Sequence, residues 1–147
     1  MRTLNLGDSA VMIVRKDQQS GELKTVFRSE ERQHRFNAPF QCGTGKKLPY
    51  VADVFHHAVL HNDVVVMGSD GVFDNLFEPE ILKCLKTPGD LVDVDAAAVC
   101  LADRALVMSK DEKFESPFTI GARKAGKNHP GGKEDDITVI VSRVNLN

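Results

Sequence analysis

The sequence has no tryptophan, a single tyrosine and three cysteines in 147 residues. Cys42, Cys84 and Cys100 show no C-x-x-C spacing, so neither a structural zinc site nor a disulfide framework is indicated, and a reducing compartment is the expectation. No apolar run approaches the roughly 20 residues that a membrane-spanning helix needs. The first residues do not read as a signal peptide either. Charge of one sign is also missing. With 19 Lys and Arg against 21 Asp and Glu, the net charge is −2, which gives no electrostatic footprint for a nucleic acid or an anionic membrane. Recognition must therefore be local. What the chain does have is apolar content, 41%, enough to core one domain.

Short apolar runs separated by turn residues dominate. Strands are predicted at 4–6, 10–14, 25–28, 51–60, 63–67 and 137–144, with Gly7, Asp8 and Ser9 joining the first two as a hairpin. A short helix is predicted over 80–86, with Pro79 opening it and Pro88-Gly89 stopping it. A longer one is predicted over 96–109, capped by Asp95, with Ala98, Leu101, Ala105 and Met108 as its apolar stripe. The stretch 29–49 shows no clean period, and the charged, glycine-rich stretch 110–133 reads as a long loop. Strands joined by hairpins and outnumbering helices indicate an α+β fold with antiparallel sheet.

Three strand ends carry acid. Asp8 follows one strand, Asp70 and Asp74 follow the run V64-V-V-M-G-S, and Asp135 and Asp136 precede the run I137-T-V-I-V. If 63–67 and 137–143 are antiparallel neighbours, Asp70 and Asp135 meet on one rim, and strand 4–6 running beside 63–67 brings Asp8 there too. Taken singly, these are ordinary turn residues. Taken together they would repel and raise one another's pKa unless a cation lies between them. Only oxygen donors are offered, which favours Mg²⁺ or Mn²⁺ over zinc. The spacing is not that of an EF-hand, and C42-G-T-G-K-K47 is not a P-loop, since it ends in Lys where Ser or Thr should hold the ion.

In that order, L6-G-D-S9, S69-D-G-V-F-D-N75 and G132-K-E-D-D-I-T-V139 resemble the C-terminal half of the metal-dependent PPM-type (type 2C) serine/threonine protein phosphatases. F27-R-S-E-E-R-Q-H-R-F-N-A-P-F-Q41 and S116-P-F118 resemble its branch typified by mitochondrial enzymes. The resemblance implies a four-layer αββα sandwich of two antiparallel sheets flanked by helices, of which residues 1–147 are the C-terminal portion and the N-terminal portion is missing. It implies Mn²⁺ or Mg²⁺ bound by Asp70 and Asp135, with Asp8 at a further, weaker metal site. Gly71, Asp74 and Asp136 are then supporting residues. The implied reaction is hydrolysis of phosphoserine or phosphothreonine in a phosphoprotein by metal-activated water, without a protein nucleophile. The family's N-terminal Asp-Gly pair, phosphate-holding Arg and general-acid His have no counterpart in this sequence. On that ground the chain alone is expected to bind metal weakly and turn over poorly, and to self-associate through exposed edges. The alternative is a non-catalytic pseudophosphatase or fragment acting as an interaction module. The branch implies a mitochondrial location, with the cytoplasm otherwise.

The five histidines match no ligand spacing and read as packing or surface residues. Phe36, Phe40 and Phe118 read as core or loop anchors. R123-K-A-G-K-N-H-P-G-G-K133, which leads straight to Asp135, reads as a solvated loop that could steer phosphorylated substrates by charge.

Overall fold

Short apolar runs, A10-V-M-I-V14 and V64-V-V-M67, build the central strands, and the computed structural model describes residues 1–42, 52–86, 88 and 91–146. The stretch after Cys42, Val51 as a strand start and Gly89 as a helix stop lie outside the described residues. In chain order the strands before the first helix are β1 (Arg2–Asn5), β2 (Ala10–Lys16), β3 (Leu23–Arg28), β4 (Gln33–Arg35), β5 (Ala38–Pro39), β6 (Asp53–His56) and β7 (Val64–Gly68). The helices α1 (Asp70–Phe73), α2 (Glu78–Leu85), α3 (Val94–Ser109) and α4 (Pro117–Lys124) follow, and β8 (Val139–Arg143) closes the series.

The main sheet has the order β3-β2-β7-β8, antiparallel throughout. Met12 and Val14 of β2 and Val64 and Val66 of β7 point to one face. There they meet Val72, Phe73, Leu76, Ile81, Leu85, Ala97, Leu101 and Ala105 of the helical layer, all at 1% exposure or less. Burying such a side chain contributes about 1.5–3 kcal/mol, so this layer pair is the main source of stability. The opposite face carries Val11, Val65, Met67 and Ile140, and a cavity of about 750 Å³ opens over it, flanked by β1. The mixed fold with antiparallel sheet is as expected.

Several details differ from the sequence reading. β1 does not form a hairpin with β2; it pairs with β6, and Gly7, at φ 103°, turns the chain from one sheet into the other. The helix expected at 96–109 begins at Val94, because Asp93 and not Asp95 caps it, its carboxylate accepting from the Ala96 N–H at 3.0 Å. Its buried stripe is Ala97, Leu101 and Ala105, one residue round from the predicted start at Ala98. The stretch 110–133 is not all loop. Ser116 and Pro117 open α4, with the Ser116 hydroxyl accepting from the Thr119 N–H at 3.1 Å, a start signal present in the sequence. Cys84 of α2 and Cys100 of α3 are joined as a disulfide, leaving Cys42 free. The expectation of no disulfide is thereby corrected, and with it the argument for a reducing compartment. The reason is tertiary: the packing of two helices brings together cysteines 16 positions apart, which no local motif announces.

Candidate metal centre

β7 and β8 pair antiparallel, the condition on which the meeting of the acids depended, with Gly68 opposite Val139, so the chain leaves one strand where it enters the other. Asp70 and Asp135 meet beyond that pair. Asp8 reaches the same rim by a different route from the predicted one. It precedes β2, whose Ala10 lies opposite Gly68, so the start of β2 delivers it and β1 does not.

Backbone contacts between Ser69–Asn75 and Lys133–Thr138 set the geometry. Ser69 donates its hydroxyl to the Asp136 carbonyl at 2.9 Å and accepts from the Thr138 N–H at 3.1 Å. Gly71 lies under the same carbonyl with no room for a side chain: a Cβ there would sit 2.5 Å from the Asp136 oxygen. Asn75, fully buried, donates from Nδ2 to the carbonyls of Gly71 and Lys133 and accepts the Lys133 N–H at 2.8 Å. Every hydrogen-bonding group of that amide except one acceptor lone pair is thus committed to tying α1 to the returning segment.

The acids converge on a cation already in the chain. The Lys133 ammonium lies 2.7 Å from Asp70 Oδ2, 2.8 Å from Asp74 Oδ2 and 3.0 Å from Asp135 Oδ2. Among the described residues, no three acids, histidines or cysteines form a ready metal cage by themselves. The titration pattern follows from these neighbours. Burial, reinforced by the charge of Asp70, pushes Asp8 above the usual aspartate range. Burial also pushes Asp74 up, against the pull of Lys133. Asp135, more open, is held below the usual range chiefly by its hydrogen bond from Lys133. Burial alone would lower Lys133, yet its bonds to the acids outweigh this and hold it above the ordinary lysine value. Asp136 contributes through its backbone, donating its N–H to Asp135 Oδ1 at 2.9 Å.

Sequence reasoning missed Lys133 and Asn75. Lys133 stands two residues before Asp135, inside a run that reads as solvated loop, and only the fold turns it inward. Its ammonium also lies 4.9 Å from the Phe118 ring centre, and Phe118 packs on Phe36 at 4.9 Å, which makes both rings anchors as expected. Three of the histidines pack against aromatic rings: His34 stacks on Phe40, His57 lies tilted against Phe27, and His129 and Phe118 meet edge to face. Of the basic residues thought available for steering, Arg123 is paired with Glu115 at 2.6 Å and Lys127 lies over Phe36.

Comparison with known proteins gives a consistent picture. No protein-family model matches the sequence. The chain is 40% identical over 147 residues to "Probable protein phosphatase 2C 55" of Arabidopsis thaliana, covering 98% of this chain and 30% of that protein. It is 36% identical over 155 residues to human "Protein phosphatase PTC7 homolog", covering 98% of this chain and 49% of the other. The chain thus spans less than half the length of either of these relatives. Among solved structures, the photosystem II phosphatase PBCP superposes with a TM-score of 0.82 at 31% identity, over 98% of this chain and 58% of that one. The catalytic domain of the serine threonine protein phosphatase PstP, solved with two manganese ions, shares the fold at a TM-score of 0.61 and 20% identity.

Proposed function

We propose that this chain, related over nearly its whole length to the type 2C protein phosphatases, is the C-terminal portion of a metal-dependent serine/threonine phosphatase domain and carries part of its Mn²⁺ or Mg²⁺ centre. The supporting observation is the convergence of Asp70 and Asp135, with Asp8 nearby, on the rim where β7 ends and β2 and β8 begin. The donor set fits the ion. It is oxygen only, as hard divalent cations prefer, and its geometry already accommodates a positive charge. In this reading Asp70 and Asp135 hold the ion and Asp8 a further one. Gly71, Asp74 and Asp136 keep them in register, and the remaining ligands come from a portion of the domain outside these residues. A divalent ion bound there would draw charge from phosphoryl oxygens and make water a better nucleophile. The substrate is a phosphoserine or phosphothreonine side chain of a protein, and the compartment is the mitochondrion, on the strength of the branch resemblance of residues 27–41 and 116–118.

The test is Mn²⁺ titration by calorimetry of the wild-type chain, Asp70→Asn and Asp135→Asn, alongside hydrolysis of a phosphothreonine peptide. Expected are weak Mn²⁺ binding, a loss of affinity of about tenfold or more in each variant, and poor turnover by this chain alone. No Mn²⁺ binding, or binding indifferent to both substitutions, overturns the proposal.

A further inference from the structure

Lys133 is not a surface lysine that happens to lie near acids. Its side chain is only 14% exposed. Both backbone polar groups are clamped by the buried Asn75 amide. The glycines before it are constrained as well: Gly131 has φ +81°, and a Cβ on Gly132 would run into the backbone of Met108 and Ser109 at the end of α3. The Gly131 carbonyl is held by the hydroxyls of Ser116 and Thr119, both buried. The Cα of Lys133 is thus fixed from two sides, while its four-carbon stem retains rotatable bonds.

We infer that Lys133 is the resident cation of the rim, its ammonium holding the same Asp70 and Asp135 oxygens that a divalent ion would take, so that metal binding here is an exchange of cations and not the filling of an open cage. This rests on the metal reading given above. A lysine ammonium and a divalent ion cannot share two carboxylates a few ångströms apart without strong repulsion. One must leave, and the stem of Lys133 can swing while its backbone stays clamped by Asn75. The exchange serves two ends. Without metal, the ammonium relieves the repulsion among Asp8, Asp70, Asp74 and Asp135 that would otherwise open the rim. With metal scarce, it keeps the affinity of this half of the centre low.

The competing account makes Lys133 a permanent structural ion pair, with any metal bound elsewhere. Mn²⁺ affinity, measured by calorimetry on wild type, Lys133→Met and Lys133→Arg, separates the two. Exchange predicts about tenfold or greater tightening in Lys133→Met, and affinity near wild type in Lys133→Arg, which keeps the charge. Unchanged or weaker binding in Lys133→Met overturns the inference. Should Lys133→Met fail to fold without metal, the wild-type chain still decides. In ¹⁵N-resolved spectra, the ammonium signal lost in Lys133→Arg is expected to shift on adding Mg²⁺, and a signal that stays in place under saturating Mg²⁺ overturns the inference equally. Asp135→Asn is run in parallel. If it weakens Mn²⁺ binding while Lys133→Met does not tighten it, cation exchange fails alone; if wild type binds no Mn²⁺, the metal reading fails and takes the exchange with it.

Discussion

Substituting alanine for Gly71 tests how the rim is assembled, because the obstacle is backbone and not a flexible side chain. The added methyl would lie 2.5 Å from the Asp136 carbonyl oxygen and 3.1 Å from its carbon, where ordinary contact begins at 3.4 Å. About 0.9 Å must be found, and Asp136 cannot yield it freely: its carbonyl is bound by the Ser69 hydroxyl, and Thr138 is paired to Ser69 in both directions. Overpacking of this kind costs about 1–3 kcal/mol. The displacement is also transmitted, since Asp135 immediately precedes Asp136 and is tied through Lys133 to Asn75. A shift approaching 1 Å takes Asp135 out of reach of whatever Asp70 holds, and the loss of Mn²⁺ affinity should be about tenfold or more. Urea unfolding followed by circular dichroism reads the first effect, and Mn²⁺ calorimetry the second. The control is Gly126→Ala, where φ is +71° with nothing within 4 Å, so that only backbone strain of about 1 kcal/mol is added and metal affinity stays unchanged. A Gly71→Ala chain with wild-type stability and wild-type Mn²⁺ affinity would refute the claim that close approach of α1 to Asp136 sets the carboxylate geometry.

Asp63 is buried to 1% exposure and accepts two bonds from Arg15 and one from the Leu60 N–H, each 2.8 Å. Burial pushes its carboxyl up, but Arg15 and Leu60 together outweigh this and hold it below the usual aspartate value of 3.8. Its stabilising contribution is therefore complete above about pH 4 and lost as pH falls through the folded value. Asp63→Asn should cost about 2 kcal/mol at pH 7 and flatten the loss of stability below pH 4 in acid titrations; an equally steep acid limb would show the pair is inert. The Cys84–Cys100 bridge encloses a 16-residue separation and should contribute about 3 kcal/mol, so reductant should lower the melting temperature of wild type but not of Cys84→Ser. Thiol titration of the unreduced, denatured chain should count one free cysteine, Cys42, and a count of three would overturn the pairing. Ser116→Ala removes both the cap of α4 and an anchor of the Gly131 carbonyl, and should cost about 1–2 kcal/mol by urea denaturation.

How much of this was legible in the sequence depended on how local the cause was. The central strands were legible because apolar runs and turn chemistry act within a few residues, whereas the pairing of 64–68 with 139–143 entered the reading only as the condition under which the acids meet, and the fold supplies it. The partner of β1 was not legible. A G-D-S turn between two apolar runs is ordinary hairpin composition, and only Gly7 in a left-handed conformation, with the β6 edge available, sends the chain elsewhere. The disulfide was invisible for the same reason, since it depends on how α2 packs on α3. By contrast, the α4 start was present in Ser116-Pro117 and was overridden by the charged composition around it.

The candidate site divides along the same line. Asp70 and Asp135 are marked by position, because a carboxylate at a strand end, where turns prefer Asn-Gly, invites the question of what it holds. Lys133 and Asn75 carry no such mark. Nothing in the composition of G131-G-K-E-D135 distinguishes a solvated lysine from one folded onto three carboxylates, since the difference is made by Gly132 meeting the end of α3 and by an amide 58 residues upstream. Sequence patterns of this kind record where charges are concentrated but not how they are neutralised. That balance is a property of the assembled rim. A sequence reading of clustered acids therefore overstates the demand for metal wherever the fold returns a lysine among them, and here it is Lys133 that sets how strongly the rim calls for a second cation.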